Sequence, residues 1–393
     1  MASKALTQLN GNWNYPTAIR FGVGRINELA DACFTLGMRR PLLVTDPGLA
    51  ALPMISAARE HCRAAGLICE IFSQIKSNPN EANVNAGVEA YHDAGHDGVI
   101  AFGGGSALDA GKAIALMAGQ LRPLFDFEDR ADWWTRVNES AMAPVIAVPT
   151  TSGTGSEVGR ASVITDESTR TKKIIFHPRM LPAIVIADPA LTAGLPAHIT
   201  AAVGMDALSH NLEALCSPVH HPMAQGIAIE GIRTIHRWLE PACTDGSDLE
   251  ARAHMQVAST MGATAFQKGL GAMHSLSHPC GSVLDIHHGL CNAVVMPYVL
   301  QFNRRVIDDK LATLARYLEL PHAGYRGVLE WVLGLRERIG IAHTLAEIGV
   351  GAQHVSALAP MAEHDPSSAT NPIQLNTANC TELYMRCIEG RLS

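Results

Sequence analysis

Five short apolar segments in the first half of the chain end in turn residues, and this repeated pattern constrains the fold more than any other feature. Stretches with helical spacing, at 27–36 and 80–94, lie between some of these segments or just before them. Apolar strands separated by helices are typical of a parallel sheet buried on both faces. The five predicted strands are PLLVTD (41–46), GLICEIF (66–72), DGVIAFGGG (97–105), APVIAVPTT (143–151) and AIVIADP (183–189).

The second half of the chain has a different pattern. Its segments 198–217, 221–242 and 249–267 carry apolar residues at helical spacing and contain no convincing strand. The sequence therefore predicts two domains, an α/β domain over 1–195 and an all-α domain over 196–393, with a cleft expected between them.

Composition narrows the class of protein. The net charge of −7 comes from interspersed acidic and basic residues, which argues against nucleic acid or a membrane surface as a partner. No run of 18 apolar residues occurs, and the first residues lack a basic-then-apolar signal pattern. Nine cysteines without a C-x-x-C pair indicate reduced thiols. We therefore expect a cytoplasmic enzyme that acts on a small molecule.

The segment DGVIAFGGGSALDAGKAIALMA predicts a strand, a glycine turn and then a helix. Glycines allow a phosphate to approach the backbone, and the free N–H groups at a helix start face the anion. Gly103, Gly104, Gly105 and Ser106 would form this phosphate cradle. The segment matches neither G-x-x-x-x-G-K-[ST] nor G-x-G-x-x-G, and a purely structural turn is the alternative.

Asp46 follows an earlier predicted strand in LLVTDPG. A carboxylate at this position can bind the ribose hydroxyls of NAD and repel the 2′-phosphate of NADP; alternatively it caps a turn or helix. The polar loop 148–159, VPTTSGTGSEVG, could contact the same cofactor.

In the helical half, Asp206 and His210 are four residues apart, so both lie on one face of a helix. Four further histidines follow within fifteen residues, His274, His278, His287 and His288. One carboxylate with three imidazoles suits Zn(II) or Fe(II). Spacing alone does not decide which three histidines would coordinate.

Several long motifs resemble the iron-containing, or group III, alcohol dehydrogenases. They are GGGSALDAGK, VPTTSGTGSEV, DALSHNLEA, HSLSHPCG and HHGLCNAVVMPYV, and the likeness runs to DPSSATNP near the C-terminus. The resemblance implies a Rossmann-like dinucleotide-binding domain followed by an all-α metal-binding domain, the dehydroquinate synthase-like fold.

The resemblance also implies roles for individual residues. It makes Asp206, His210, His274 and His288 the metal ligands and leaves His287 without a role. His278 matches a histidine near the nicotinamide, where it would relay a proton or position the ring. The implied cofactor contacts are Asp46, Asn78, Gly104, Gly105, Ser106, Asp109, Thr150, Thr151, Val163 and Lys172.

Two positions depart from the family pattern. Gly159 stands where the family often has threonine, which puts one cofactor contact in doubt. The stretch FQKGLGAMH (266–274) is one residue shorter than its family counterpart and carries Lys268 near an asparagine's place. Lys268 would either meet an anionic substrate such as a hydroxy acid or lie in solvent at a helix end.

The implied activity is reversible hydride transfer between NAD(H) and a small alcohol/aldehyde pair, with Fe(II) as the metal and Zn(II) as a substitute. Family members commonly form homodimers or larger homo-oligomers. The alternatives within the superfamily are a 4-hydroxybutyrate-type hydroxy-acid dehydrogenase, a maleylacetate reductase-like enzyme, a glycerol dehydrogenase and a dehydroquinate synthase-like lyase. A metal-dependent hydrolase would leave the glycine loop without a task, and a non-catalytic binding protein is the remaining alternative.

Overall fold

The computed structural model describes the backbone of Gly11–Trp13 and, with side chains, residues 17–392. It divides into two compact units. The first comprises Met1–Thr151 and Gly155–Gly194, and the second comprises Ser152–Thr154 and Leu195–Ser393.

A seven-stranded sheet forms the centre of the first unit, in the order β1-β2-β9-β6-β5-β3-β4. Only the β1–β2 pair is antiparallel. A separate antiparallel hairpin consists of β7 and β8. The strands are β1 Gly11–Trp13, β2 Ala18–Phe21, β3 Pro41–Val44, β4 Glu70–Phe72, β5 Gly98–Gly103, β6 Val145–Pro149, β7 Ala161–Asp166, β8 Thr171–Phe176 and β9 Ile184–Ala187.

All five predicted strands are present, as β3, β4, β5, β6 and β9. Four of them, β3, β5, β6 and β9, are buried along their whole length, which explains their continuous apolar sequence. The helices of this unit are α1 Leu29–Thr35, α2 Pro47–Ala50, α3 Pro53–Ala64, α4 Glu81–Asp93 and α5 Gly105–Met117.

The chain reverses its direction of travel across the sheet between β3 and β5. It runs from β3 outward to β4, and then returns to form β5 on the opposite side of β3. Ligands of open α/β sheets bind at the carboxyl ends of the strands at such a switch point. Asp46 follows β3 and the glycine turn follows β5, so both lie at this edge.

The second unit is helical throughout its described residues, and no strand is assigned from residue 195 to residue 392. The predicted fold class, an α/β part followed by an all-α part, is confirmed. Its helices are α6 Ala197–Cys216, α7 Pro222–Thr244, α8 Leu249–Ala265, α9 Ala272–Leu284, α10 His288–Tyr317, α11 Gly324–Arg338, α12 Val355–His364 and α13 Thr377–Glu389.

Helix α6 is the centre of this unit, since every residue from Met205 to Cys216 is buried. A helix that is apolar around most of its circumference belongs in a core, and the polar residues on α6 must therefore find partners there. No helix in the described part of the chain is long and apolar enough to cross a membrane. All nine cysteines are free thiols.

Candidate active site

The glycine turn exposes the start of α5. Gly104 is the N-cap residue and supplies no side-chain cap, so the first N–H groups of the helix remain available to an anion. Gly103 has a φ of 150°, and a Cβ there would lie 2.7 Å from the Cβ of Ala107. Only glycine fits this position. The Ser106 hydroxyl donates to the carbonyl of Ser77, which ties the turn to the segment that carries Asn78.

Two predicted cofactor residues flank the glycine turn. Asp46 caps α2 through Oδ1, which accepts from the N–H of Leu49 at 3.0 Å. Its Oδ2 lies 3.7 Å from where a Cβ of Gly103 would stand. On the other side, a Cβ on Gly104 would be 3.3 Å from Cγ2 of Thr151. The ends of β3, β5 and β6 therefore bring Asp46, the glycine turn and Thr151 together.

Asp109 braces the segment that follows β6. Its Oδ1 accepts from the Ser156 hydroxyl, and its Oδ2 accepts from the N–H of Val163 at 3.0 Å. Lys112 lies 3.2 Å from the same carboxylate and donates to the carbonyls of Ser156 and Ala161. Lys112 is fully engaged inside the protein, so this lysine of the glycine motif is a structural brace.

The remaining predicted cofactor residues lie on neighbouring elements. The N–H of Thr150 donates to the carbonyl of Gly103 at 3.0 Å, which fixes the end of β6 to the glycine turn. Val163 is on β7, and Lys172 is on β8 opposite Thr165.

The second unit assembles the four predicted metal ligands. Asp206 and His210 project from α6, and both are buried. Two glycines permit the neighbouring helices to approach this face. A Cβ on Gly262 of α8 would lie 3.0 Å from Cβ of His210, and a Cβ on Gly289 of α10 would lie 3.0 Å from Cβ of Asp206.

His274 on α9 is held by a carboxylate. Its Nδ1 lies 2.7 Å from Oε2 of Glu213, and Oε1 of Glu213 accepts from the N–H of Met273 at 2.6 Å. An imidazole that donates Nδ1–H to a carboxylate keeps the Nε2 lone pair for a metal, an arrangement frequent in metalloproteins.

His287 and His288 have different positions at the start of α10. His287 is the N-cap residue, and its Nδ1 accepts from the N–H of Leu290 at 3.3 Å. His288 is the first helical residue, with Nδ1 3.4 Å from the Ser277 hydroxyl and Nε2 3.5 Å from Oδ1 of Asp206.

One ligand atom from each of Asp206, His210, His274 and His288 lies within 4.8 Å of the others, close enough to share one divalent cation. Burial lowers the pKa of His210 to about 4, although Asp206 opposes the shift, and the ring stays in the neutral form that binds metals. Three imidazoles and one carboxylate, buried and with lone pairs converging, fit an ion such as Fe(II) or Zn(II).

His278 lies one helical turn beyond His274 but is not part of this cluster. Its Nδ1 is 2.8 Å from Oδ2 of Asp365, and its ring stacks on His288 with centroids 5.2 Å apart. Asp365 is itself fixed, because its Oδ1 accepts from the N–H of Ser367 at 2.8 Å. Burial would raise the pKa of Asp365, but His278 outweighs that effect and the pKa is lowered.

Both interpretations of Lys268 are wrong. The side chain is buried, with 2% exposure, and it donates to the carbonyls of Ala214, Leu215 and Ser217 at 2.8, 3.2 and 2.6 Å. These are the carbonyls at the C-terminal end of α6, which carry partial negative charge. Lys268 therefore caps α6 and is not available to a substrate.

Glu213, Asp365 and Asn292 belong to this site and were not predicted. Glu213 had a signal in the sequence, because positions 206, 210 and 213 fall on one face of a helix. The other two come from segments that only folding brings to the site.

Comparison with known proteins agrees with this geometry. The family described as "Iron-containing alcohol dehydrogenase" matches residues 16–189, and its C-terminal counterpart matches residues 200–388. A 4-hydroxybutyrate dehydrogenase of Cupriavidus necator is 40% identical over 95% of this chain and 98% of its own. A 1,3-propanediol dehydrogenase of Citrobacter freundii is 34% identical over 94% and 96% of the two chains.

A crystal structure of a 1,3-propanediol oxidoreductase superposes with a TM-score of 0.89 at 32% identity, covering 94% of this chain and 97% of that one. Fold, site and relatives together define a metal- and nicotinamide-dependent oxidoreductase that acts on CH–OH groups. The chain belongs to the iron-containing alcohol dehydrogenase family.

Proposed function

We propose that this enzyme transfers hydride reversibly between NAD(H) and a small primary alcohol/aldehyde pair, with Fe(II) as its metal and Zn(II) as a substitute. The observation that carries the proposal is the convergence of Asp206, His210, His274 and His288 within 4.8 Å. In this proposal residues 1–195 bind the dinucleotide, residues 196–393 bind the metal, and the protein acts in the cytoplasm as a homodimer or larger homo-oligomer.

The proposed cofactor site uses the carboxyl edge of the sheet. The N–H groups at the start of α5 would hold the pyrophosphate, with Gly104, Gly105 and Ser106 around it. Asp46 would accept from the ribose hydroxyls through Oδ2, since Oδ1 already caps α2. The remaining proposed contacts are Asn78, Asp109, Thr150, Thr151, Val163 and Lys172.

A divalent cation on the four ligands would supply Lewis acidity that lowers the pKa of the substrate hydroxyl. The protein's own part is to move and hold protons. Asp365 accepts from Nδ1–H of His278, so Nε2 of His278 is free to exchange a proton with substrate or solvent. His278 is therefore the proposed proton relay.

A second candidate substrate class is an ω-hydroxy acid. The observation that favours it is the 40% identity to a 4-hydroxybutyrate dehydrogenase, above the 34% identity to a 1,3-propanediol dehydrogenase. Lys268 would not bind the acid's carboxylate, because it caps α6. A maleylacetate reductase-like activity is disfavoured by the complete ligand set, since those relatives work without a metal.

The test is NADH oxidation measured by absorbance, anaerobically, after loading with Fe(II) or Zn(II). The panel pairs short aldehydes with their ω-carboxylated analogues of equal chain length, for example butanal with succinic semialdehyde. Activity that requires metal and favours the uncharged aldehyde supports the main proposal. A higher kcat/KM for the semialdehyde supports the second candidate, and no NADH oxidation with any member overturns both.

A further inference from the structure

Asn292 lies on α10, one turn after His288, and is completely buried. Its Nδ2 donates to Oδ1 of Asp206 at 2.9 Å. The same nitrogen lies 3.1 Å from Nε2 of His288 and 3.3 Å from Nε2 of His274. One amide group therefore faces atoms of three of the four proposed ligands.

The orientation of this carboxamide follows from its neighbours. With nitrogen and oxygen exchanged, the amide oxygen would face a carboxylate oxygen and two imidazole lone pairs, and three acceptors would repel it. In the observed orientation Oδ1 is buried and has no hydrogen-bond partner among the described residues. A buried polar atom without a partner is costly, so the contacts on the Nδ2 side must justify the residue.

We propose that Asn292 is a positioning residue of the metal centre. Its N–H groups draw the lone pairs of Asp206, His274 and His288 toward one point and hold Asp206 in the rotamer that a cation needs. Residues that orient metal ligands typically change metal affinity about 10- to 100-fold when removed. This inference rests on the ligand set proposed above.

The first test replaces Asn292 by leucine, which has a similar volume and no hydrogen-bonding groups. The dissociation constant for Co²⁺ is measured by competition with a chelator, and the Co²⁺ absorption bands report the coordination geometry. We expect Asn292→Leu to weaken Co²⁺ binding about 10- to 100-fold and to shift those bands. Binding within twofold of the unmodified protein, or tighter binding, overturns the proposal.

Asn303→Leu is the matched control. Asn303 is a buried amide on the same helix, eleven residues and therefore about three turns later. It exchanges hydrogen bonds with Asn371 at 2.9 and 3.0 Å and contacts none of the four ligands. Its replacement removes a buried amide pair, and we expect the Co²⁺ dissociation constant to stay within twofold.

Asn292→Asp provides a test that does not depend on the leucine variant folding. It places a second carboxylate about 2.9 Å from Asp206, and the two repel unless a cation lies between them. The rise in Tm caused by saturating Co²⁺ is therefore expected to exceed that of the unmodified protein. An equal or smaller rise overturns the proposal.

His274→Ala separates this inference from the one beneath it. If His274→Ala keeps Co²⁺, the ligand set itself is wrong. If His274→Ala loses Co²⁺ while Asn292→Leu keeps it, the ligand set stands and only the role of Asn292 fails.

Discussion

The two units prepare their ligands by different means. In the first unit, the glycine turn leaves backbone N–H groups uncapped at the start of α5, and few side chains take part. In the second unit, buried side chains form the site and are themselves held by others, as Glu213 holds His274 and Asp365 holds His278.

This difference determines how each site should respond to mutation. Backbone N–H groups remain whatever the side chain, so single substitutions at the glycine edge remove one contact among many. At the metal site, each substitution leaves a buried polar partner without its hydrogen bond, which costs about 1–3 kcal/mol and shifts a ligand. We therefore expect large effects in the second unit and small ones in the first.

The largest effect is expected from His274→Ala, which removes a proposed ligand. Metal content measured by mass spectrometry should fall to background, and NADH oxidation should fall with it. His287→Asn is the control, because asparagine can still cap α10 and His287 is not in the cluster. Retained metal in His274→Ala would disprove the ligand assignment.

Asp365→Asn should lower kcat by about 10²- to 10⁴-fold, the usual contribution of a proton-transferring group. The carboxamide can present its NH₂ to His278 and reverse the tautomer, so that Nε2 carries the proton at the wrong stage. Stopped-flow measurement of kcat beside the Co²⁺ dissociation constant separates this role from a structural one. A Co²⁺ affinity that falls together with kcat would argue that Asp365 supports the metal site instead.

Glu213→Gln should weaken metal binding about 10- to 100-fold. A carboxylate accepts from both the Met273 N–H and the His274 Nδ1–H, whereas a carboxamide has only one oxygen. One donor therefore loses its partner. Competition with a chelator measures the change. Glu230→Gln, at a carboxylate paired with Arg233 on α7, is the control that should bind metal normally. Equal affinities in the two variants would refute this role.

The strands of the sheet were predictable because burial on both faces leaves continuous apolar sequence, as in β5 and β6. The β7–β8 hairpin was missed because β8, TKKIIF, is short and half-exposed, with two lysines and no strict alternation. At the candidate site, helical spacing paired Asp206 with His210. It did not separate His274 and His288 from His278 and His287, because that separation depends on how α9 ends and α10 begins.

Lys268 illustrates what spacing does not contain. Its burial is possible because three carbonyls at the end of α6, more than fifty residues earlier, accept its protons. A lysine beside a glycine-rich turn is typical of solvent exposure, and only the tertiary fold places a helix end against it.

In the first unit, Asp46→Gly should raise kcat/KM for NADPH relative to NADH by about 10- to 30-fold, since one charged contact is worth about 1.5–2 kcal/mol. Asp46→Asn is the matched variant. It can keep the cap on Leu49 and loses only the charge, so a relaxed preference in both variants identifies repulsion of the 2′-phosphate as the cause. An unchanged preference in both would refute the role of Asp46.

Gly159→Thr should give the smallest effect, an increase of about fivefold in NAD⁺ affinity from one hydrogen bond of about 1 kcal/mol. The backbone there, with φ −95° and ψ 146°, is extended and accepts a β-branched residue. A Cβ would lie 3.5 Å from the Ser156 carbonyl and 3.6 Å from Nζ of Lys112, both ordinary contacts. Gly159→Val has the same shape without the hydroxyl. If valine and threonine change NAD⁺ affinity equally in a fluorescence titration, the missing contact is not a hydrogen bond.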